Sequence, residues 1–427
     1  MSVDKKWFLV LAVVISAANV WGQAARSPLT TYGVGEPYGN ALIHNQGNGL
    51  GVSQPQHWFL NNQNPALLVY NTYSVFEVGI VGESRTVKGD TTNEESIGGN
   101  LNYIVMAFPI KPNKWTTSVG LMPYTDVNFS FQYPEYVRDP FGAVVDTLTT
   151  SETGTGGLTQ LYWSNGVRLT REIAIGLKSS YIFGPISNVY TNLLVPPTTA
   201  IEPYLISIEE KTNVRGFNFG LGFSFSKDSL GARKDHRFSV GAVYNFVANL
   251  KANNKTKIFR NSLAGDTIER YDIERNDERL KLPESFSVGV TYGKAQNWSI
   301  GTEFAFQNWK SFSKVGEDNA GLGQSWRTSL GGEFTMDPLA LESYLKRITF
   351  RAGLTLEQYP FLANDKEVRD FGINFGFSLP AGRSSMDFAI KTGKRGNKEE
   401  NILEESYFKV YFGVTFNDQW FIKRKFD

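Results

Sequence analysis

The side chains able to do chemistry are few and scattered. The chain of 427 residues holds three histidines, His44, His57 and His236, and no cysteine. Without a thiol there is no Cys nucleophile, no thiolate metal site and no disulfide scaffold. No Ser-His arrangement falls on neighbouring strands, and no His/Asp/Glu cluster has metal-ligand spacing. Glu303, Glu357 and Asp370 fall where an acid/base set would be sought, but Arg351, Lys391 and Arg327 are placed to neutralise them inside a polar interior. Gly47-Asn48-Gly49-Leu50-Gly51 has the glycines of a phosphate loop, yet no Lys-Ser/Thr follows and no βαβ unit surrounds it. The expectation is a protein that is not an enzyme and that uses no metal and no cofactor.

The elements that carry these residues follow from composition and periodicity. Lys+Arg number 43 against 42 for Asp+Glu, so the basic surplus of a nucleic-acid binder is missing. Phe, Tyr and 41 Gly suit β-strands with an apolar face and a tight interior. Lys5 and Lys6, the apolar run from Trp7 to Ile15, and the small residues Ala17, Ala18 and Gly22 read as a signal peptide over 1–22, cleaved near Gly22. Export through the general secretory route is the expectation.

Beyond it the chain repeats an apolar/polar alternation of period two. Phe217, Phe219, Leu221, Phe223 and Phe225 oppose Gly216, Asn218, Gly220, Gly222 and Ser224. Fourteen such segments are read at 73–84, 99–110, 115–133, 156–168, 172–184, 210–226, 236–249, 281–292, 297–309, 324–336, 347–360, 367–380, 385–396 and 404–417. Glu77, Glu303, Arg351, Glu357, Asp370, Asp387 and Lys391 all fall on the face opposite the apolar one. A membrane barrel requires that parity, since a lipid-facing charge costs ~2–4 kcal/mol at the midplane while the lumen is polar. Tight turns at 111–114, 170–171, 294–296 and 381–383 alternate with longer connections at 134–155, 185–209 and 250–280, the pattern of periplasmic turns and extracellular loops. Trp115, Trp298 and Trp420 mark one membrane rim, and Trp309 and Trp326 the other. The fold class expected is an all-β transmembrane antiparallel barrel over 71–417, in the outer membrane of a Gram-negative cell, with a periplasmic tail at 418–427.

Residues 23–70 do not alternate and are rich in Gly, Asn and Gln, as suits an irregular segment lodged in the lumen. It ends in Asn64-Pro65-Ala66. This triplet resembles the hatch motif of FadL-type long-chain fatty-acid and aromatic-hydrocarbon transporters, whose fourteen-stranded barrel matches the strand count. The chain is similar, closer still, to FadL-like outer-membrane proteins of Bacteroidetes. The stretches carrying that likeness are Ser27-Pro28 with Tyr32-Gly33-Val34-Gly35, Gly156-Gly157-Leu158 leading to Tyr162-Trp163, Leu282-Pro283, Gly393-Lys394-Arg395-Gly396 and Trp420-Phe421-Ile422-Lys423-Arg424-Lys425.

The resemblance implies passive uptake of hydrophobic, fatty-acid-like small molecules. It places a lateral window at an inward kink of the third strand, where Met122-Pro123-Tyr124 interrupts the ladder because proline donates no hydrogen bond. Leu193, Leu194, Val195, Tyr204 and Leu205, in an unusually apolar connection, are the expected capture loop. The expected partners are outer-membrane lipids and a hydrophobic ligand, without nucleic acid, and the barrel is expected as a monomer. Some FadL-like barrels serve as accessory subunits of type IX secretion, so a secretion-machinery protein is the alternative partner.

Overall fold

A strand that alternates Phe with Gly or Ser can satisfy its backbone in a bilayer only if every neighbour pairs with it and the sheet closes. The computed structural model describes residues 23–418 apart from 40, 90–92, 139, 195–202, 232–234, 295, 315–316, 319–321 and 402. It contains a closed antiparallel barrel of fourteen strands. Ten run unbroken: β1 (Ser74–Lys88), β2 (Asn93–Lys111), β5 (Ile173–Leu194), β6 (Tyr204–Leu230), β9 (Trp298–Gln307), β10 (Ser325–Thr335), β11 (Thr349–Ala363), β12 (Lys366–Ala381), β13 (Ser384–Arg395) and β14 (Glu404–Asp418). Four have a lower and an upper half. These are β3 (Trp115–Pro123, Thr125–Arg138), β4 (Val144–Gly156, Thr159–Arg168), β7 (His236–Asn245, Ala248–Ser262) and β8 (Thr267–Leu282, Ser285–Lys294). The ring closes where β1 pairs with β14, from Ser74↔Asp418 to Lys88↔Glu404.

Side-chain parity follows the alternation read from the sequence. Phe217, Leu354, Phe375 and Phe408 stand exposed on the outer wall. Glu77, Ser224, Thr355, Asp370 and Asp387 are buried on the inner one. An apolar band of this kind, exposed on strand after strand, is stable only against lipid chains.

Three expectations about the rims are corrected. The long connections are mostly strand: β3 and β4 continue their ladder to Arg138↔Val144, β5 and β6 to Leu194↔Tyr204, and upper β7 and β8 to Asn261↔Thr267. Paired backbone needs no water, so a ladder leaving the membrane goes on even where polar residues end the apolar alternation. The strict alternation of short and long connections fails too. The β11–β12 turn at the outer end is only Asn364-Asp365, both left-handed at φ 55° and 56°, whereas the periplasmic connection 336–348 is long. Trp309 does not stand in the outer girdle: the chain turns inward after β9, and the indole is buried against Phe312, with ring centroids 5.6 Å apart. Trp420 and the motif to Lys425 lie outside the described residues, as do the signal peptide and Val195.

The upper halves of β3, β4, β7 and β8, with the upper ends of β5 and β6, form a six-stranded sheet rising beyond the bilayer. Its bend line passes through Tyr124, Gly156-Gly157, Gly184-Pro185, Phe246-Val247 and Pro283-Glu284. At Gly157, φ is 139°, and a Cβ would lie 2.4 Å from the Thr125 carbonyl oxygen. Only glycine fits that corner.

Candidate functional site

Residues 23–73 run inside the ring. Helix α1 (Ile43–Asn48) lies on β10–β14, while the 3₁₀ turn Pro65–Tyr70 lies on the opposite arc, against lower β3, lower β4, β5 and β6. The seat is glycine. Gly166, Gly176 and Gly222 are neighbours in register on β4, β5 and β6, and a Cβ on any of them would strike Asn64 or Pro65. On the far arc, a Cβ at Gly331 would meet the Asn48 carbonyl oxygen at 1.9 Å, and one at Gly353 would meet it at 2.2 Å. Gly331→Leu is therefore expected to expel the end of α1 at Asn48 and destabilise the barrel by more than the roughly 1–3 kcal/mol of ordinary overpacking. Urea titration of the protein in micelles measures this, with Gly82→Ala, whose Cβ would meet nothing within 4 Å, as the neutral control.

Asn64-Pro65-Ala66 sits at the centre of that seat. The Asn64 Oδ1 accepts from Ala66 N at 3.0 Å and caps the turn, and its Nδ2 donates to the carbonyls of Val52 at 2.7 Å and Phe223 at 3.0 Å. The segment and a wall strand are thus joined by one amide.

Wall charges hold the rest of the segment. Glu303 Oε1 accepts three consecutive backbone N–H groups, Gly51 at 2.8 Å, Val52 at 2.7 Å and Ser53 at 3.2 Å. The glycine-rich run does form an anion-binding nest, and its anion is a wall carboxylate. Glu303 thus meets backbone N–H groups directly, while the Arg327 charge acts on it from a distance, as the strand parity implied. Glu333, paired with Arg351 at 3.3 Å, accepts from Gln56 Nε2 at 3.2 Å, and Glu77 accepts from Leu60 N at 2.7 Å.

The densest clamp surrounds Glu36, in the short stretch that bridges to β3. Its Oε1 receives Arg395 Nη2 at 2.8 Å, and its Oε2 receives Arg395 Nη1 at 3.0 Å and both Arg85 Nη atoms at 3.1 Å. Arg395 also reaches Asp370 at 3.3 Å, Glu405 at 3.5 Å and the Tyr359 hydroxyl at 2.6 Å. Ser27 donates to Glu405. Burial pushes the Glu36 carboxyl up, but Arg395, Arg85 and Lys409 outweigh it and hold it well below the usual carboxylate range. Sequence reasoning missed this clamp. Arg85 lay one residue past the strand as read, and nothing in an irregular segment marks Glu36 as buried.

Met122, Pro123 and Tyr124 lie just above the last pair between β2 and β3. Strands β2 and β3 pair from Lys111↔Trp115 to Ile104↔Leu121, and no β2–β3 pairing continues above that among the described residues. On its other side β3 stays paired with β4 across the same point, from Pro123↔Thr159 to Val127↔Gly156. The gap is occupied by the strap, residues 23–38. Gly99 N donates to Gln23 O at 2.9 Å, Ser27 N to Asn128 O at 2.8 Å and Tyr38 N to Tyr124 O at 3.0 Å, while Glu36-Pro37 pair with Asp126 and Thr125. Met122 is buried and accepts a hydrogen bond on sulfur from Asn62 at 2.8 Å.

The capture residues form no separate loop. Leu193 pairs with Leu205 and Leu194 with Tyr204, so alternate members face opposite sides of the upper sheet. Val34 of the strap packs with Leu158, Leu250, Leu282, Trp309 and Phe312 in a buried apolar cluster. At the end of the barrel away from the upper sheet, a vestibule of about 320 Å³ opens between Gln56, Trp58, Arg237, Glu333 and Arg383.

The BamG family model matches residues 4–427. The chain belongs to the BamG family. The solved structures that share the fold of this BamG-family barrel include the following three. A FadL homologue of Pseudomonas aeruginosa is 12% identical with TM-score 0.57, covering 89% of this chain and 98% of that one. The toluene transporter TodX of Pseudomonas putida is 15% identical with TM-score 0.55, covering 90% and 98%. The toluene transporter TbuX of Ralstonia pickettii is 12% identical with TM-score 0.52, covering 91% and 99%. Among curated proteins none matches the sequence. The expected FadL-type architecture is thus the one found.

Proposed function

We propose that this chain is an outer-membrane channel for passive uptake of hydrophobic, fatty-acid-like small molecules, released sideways through the barrel wall beside Pro123. The observation that carries this reading is the end of β2–β3 pairing at Leu121, with only the strap between the two strands above it. A gap bounded by an apolar outer wall leads to lipid chains, the natural sink for an apolar solute. Capture takes place at the outer sheet, on Tyr204 and Leu194 of its inner face and on Leu193 and Leu205 of the other; Val195 completes the set. Asn64-Pro65-Ala66 anchors the segment that acts as the hatch. That the solved structures sharing this fold include toluene transporters supports the substrate class.

Growth on, and uptake of, labelled hydrophobic compounds by a deletion strain tests the reading. Complementation by the wild-type gene should restore uptake, and Pro123→Ala, which returns a ladder donor to β3, should reduce it.

A second reading, an accessory barrel of a type IX secretion complex that transports nothing, is favoured by the number of independent clamps on the luminal segment. Uptake unchanged by deletion, with a secretion component co-purifying, would select it.

A further inference from the structure

Lys178 projects from β5 into the lumen and is buried, 6% exposed. Its ammonium donates to the backbone oxygen of Asn62 at 3.2 Å and to Asn62 Oδ1 at 3.0 Å, and it stands 4.7 Å from the centroid of the Tyr162 ring. An ammonium has three protons to donate, and Asn62 takes two. Among the described residues no carboxylate lies within ion-pair distance of it. The fully buried arginines of the wall differ: Arg85, Arg351 and Arg395 each pair with an acid. A buried charge without a counter-charge is costly, and a bound anion removes that cost.

Space for an anion adjoins it. Lys178 lines a cavity of about 150 Å³ at the bend line, closed by Pro37 and Gly39 of the luminal segment and flanked by Gln160, Ser180, Asn218 and Asn245. At ~30 Å³ per water-sized group this is room for about five such groups, the size of a carboxylate of about four carbons. Amides and hydroxyls share the lining with Tyr124, Ile182, Pro283 and Trp309, a mixture that suits a short carboxylate carrying a few carbons.

We propose that this cavity binds a small free carboxylate, with Lys178 as its counter-ion and the neighbouring amides and hydroxyls as further partners. The site is independent of the lateral route, but it is linked to the break in the wall: Asn62 joins Lys178 to Met122 Sδ, one residue from Pro123.

The test uses the full-length protein in detergent micelles with butyrate labelled with ¹³C at the carboxyl group, followed by saturation-transfer NMR. Butyrate should bind and butanol, its uncharged counterpart, should not. Lys178→Gln should weaken butyrate at least about tenfold, because a buried charge-assisted bond is lost, while Lys178→Arg retains binding. Ser180→Leu, which fills the cavity and leaves the lysine, should also abolish it. A boiling-dependent gel shift verifies that each variant is folded. Laurate should fail to displace butyrate. Equal binding of butanol and butyrate, unchanged butyrate binding in both Lys178→Gln and Ser180→Leu, or displacement by laurate would each overturn the proposal.

Discussion

Replacing Arg395 by glutamine is expected to be the most damaging single change in the barrel, lowering stability in urea by roughly 3–5 kcal/mol, the range for removing one member of a buried charge group. The guanidinium is 1% exposed and meets Glu36, Asp370, Glu405 and the Tyr359 hydroxyl. Counting Glu36, Glu83, Asp370 and Glu405 against Arg85, Arg395 and Lys409, the cluster already holds one more acid than base. Arg395→Gln raises that excess to two. Glu36→Gln instead brings the two signs level, so it should cost less on its own and partly rescue Arg395→Gln. The double variant is expected to be less unstable than the sum of the two, as neighbours in one network usually are. Its signature is different as well. Glu36 ties the strap to the wall, so Glu36→Gln should loosen the strap and speed trypsin cleavage after Arg26, whose side chain is already exposed, in a protein whose barrel stays closed. The pH dependence has a definite sign. Because the Glu36 carboxyl is held well below the usual range, its contribution is complete above its unfolded value of about 4.3 and is lost only as pH falls through the lowered value.

The barrel was legible because a bilayer leaves little choice. Period-two alternation with charges confined to one face has few uses outside a closed sheet in lipid, and Phe217 to Phe225 or Phe371 to Leu379 state it plainly. The glycines opposite those aromatics were legible as a tight interior, though not as a seat. That Gly176 and Gly222 face Asn64-Pro65 depends on a register between strands about forty residues apart, which alternation leaves open. Loop lengths failed for a related reason. Polar residues at 250–280 end the lipid-facing pattern, but they do not end hydrogen bonding. Lys255 opposite Glu274 and Lys257 opposite Asp272 continue the ladder as cross-strand charge pairs. The clamps were illegible because one partner in each lies in a segment without periodicity. Glu36, Gly51 and Asn62 acquire meaning only from the wall residues they meet. Pro123 is the contrary case: the proline singled out in the sequence stands two residues beyond the last β2–β3 pair, Ile104↔Leu121, while its pairing with β4 runs on.

Tethering the strap should decide whether that place is a door. Pro37 and Thr125 are direct partners across the antiparallel bridge between strap and β3. Such partners stand about 4.5–5.5 Å apart at Cα, within the span of a disulfide. The chain has no cysteine, so Pro37→Cys with Thr125→Cys creates only one intramolecular pairing. Oxidised, the strap is held at the edge of β3. If solute leaves between β2 and β3, the strap must move from the gap, and uptake of a hydrophobic compound should fall by about tenfold or more, the effect of raising a barrier by ~1.4 kcal/mol or more. Reduction should restore it. A control bridge between Ile258→Cys and Tyr271→Cys, partners in the β7–β8 ladder far from the gap, should leave uptake unaffected in both states. Equal uptake by the oxidised and reduced strap variant would mean that nothing passes there, and the break at Pro123 would then be a bend in the wall that the strap permanently seals.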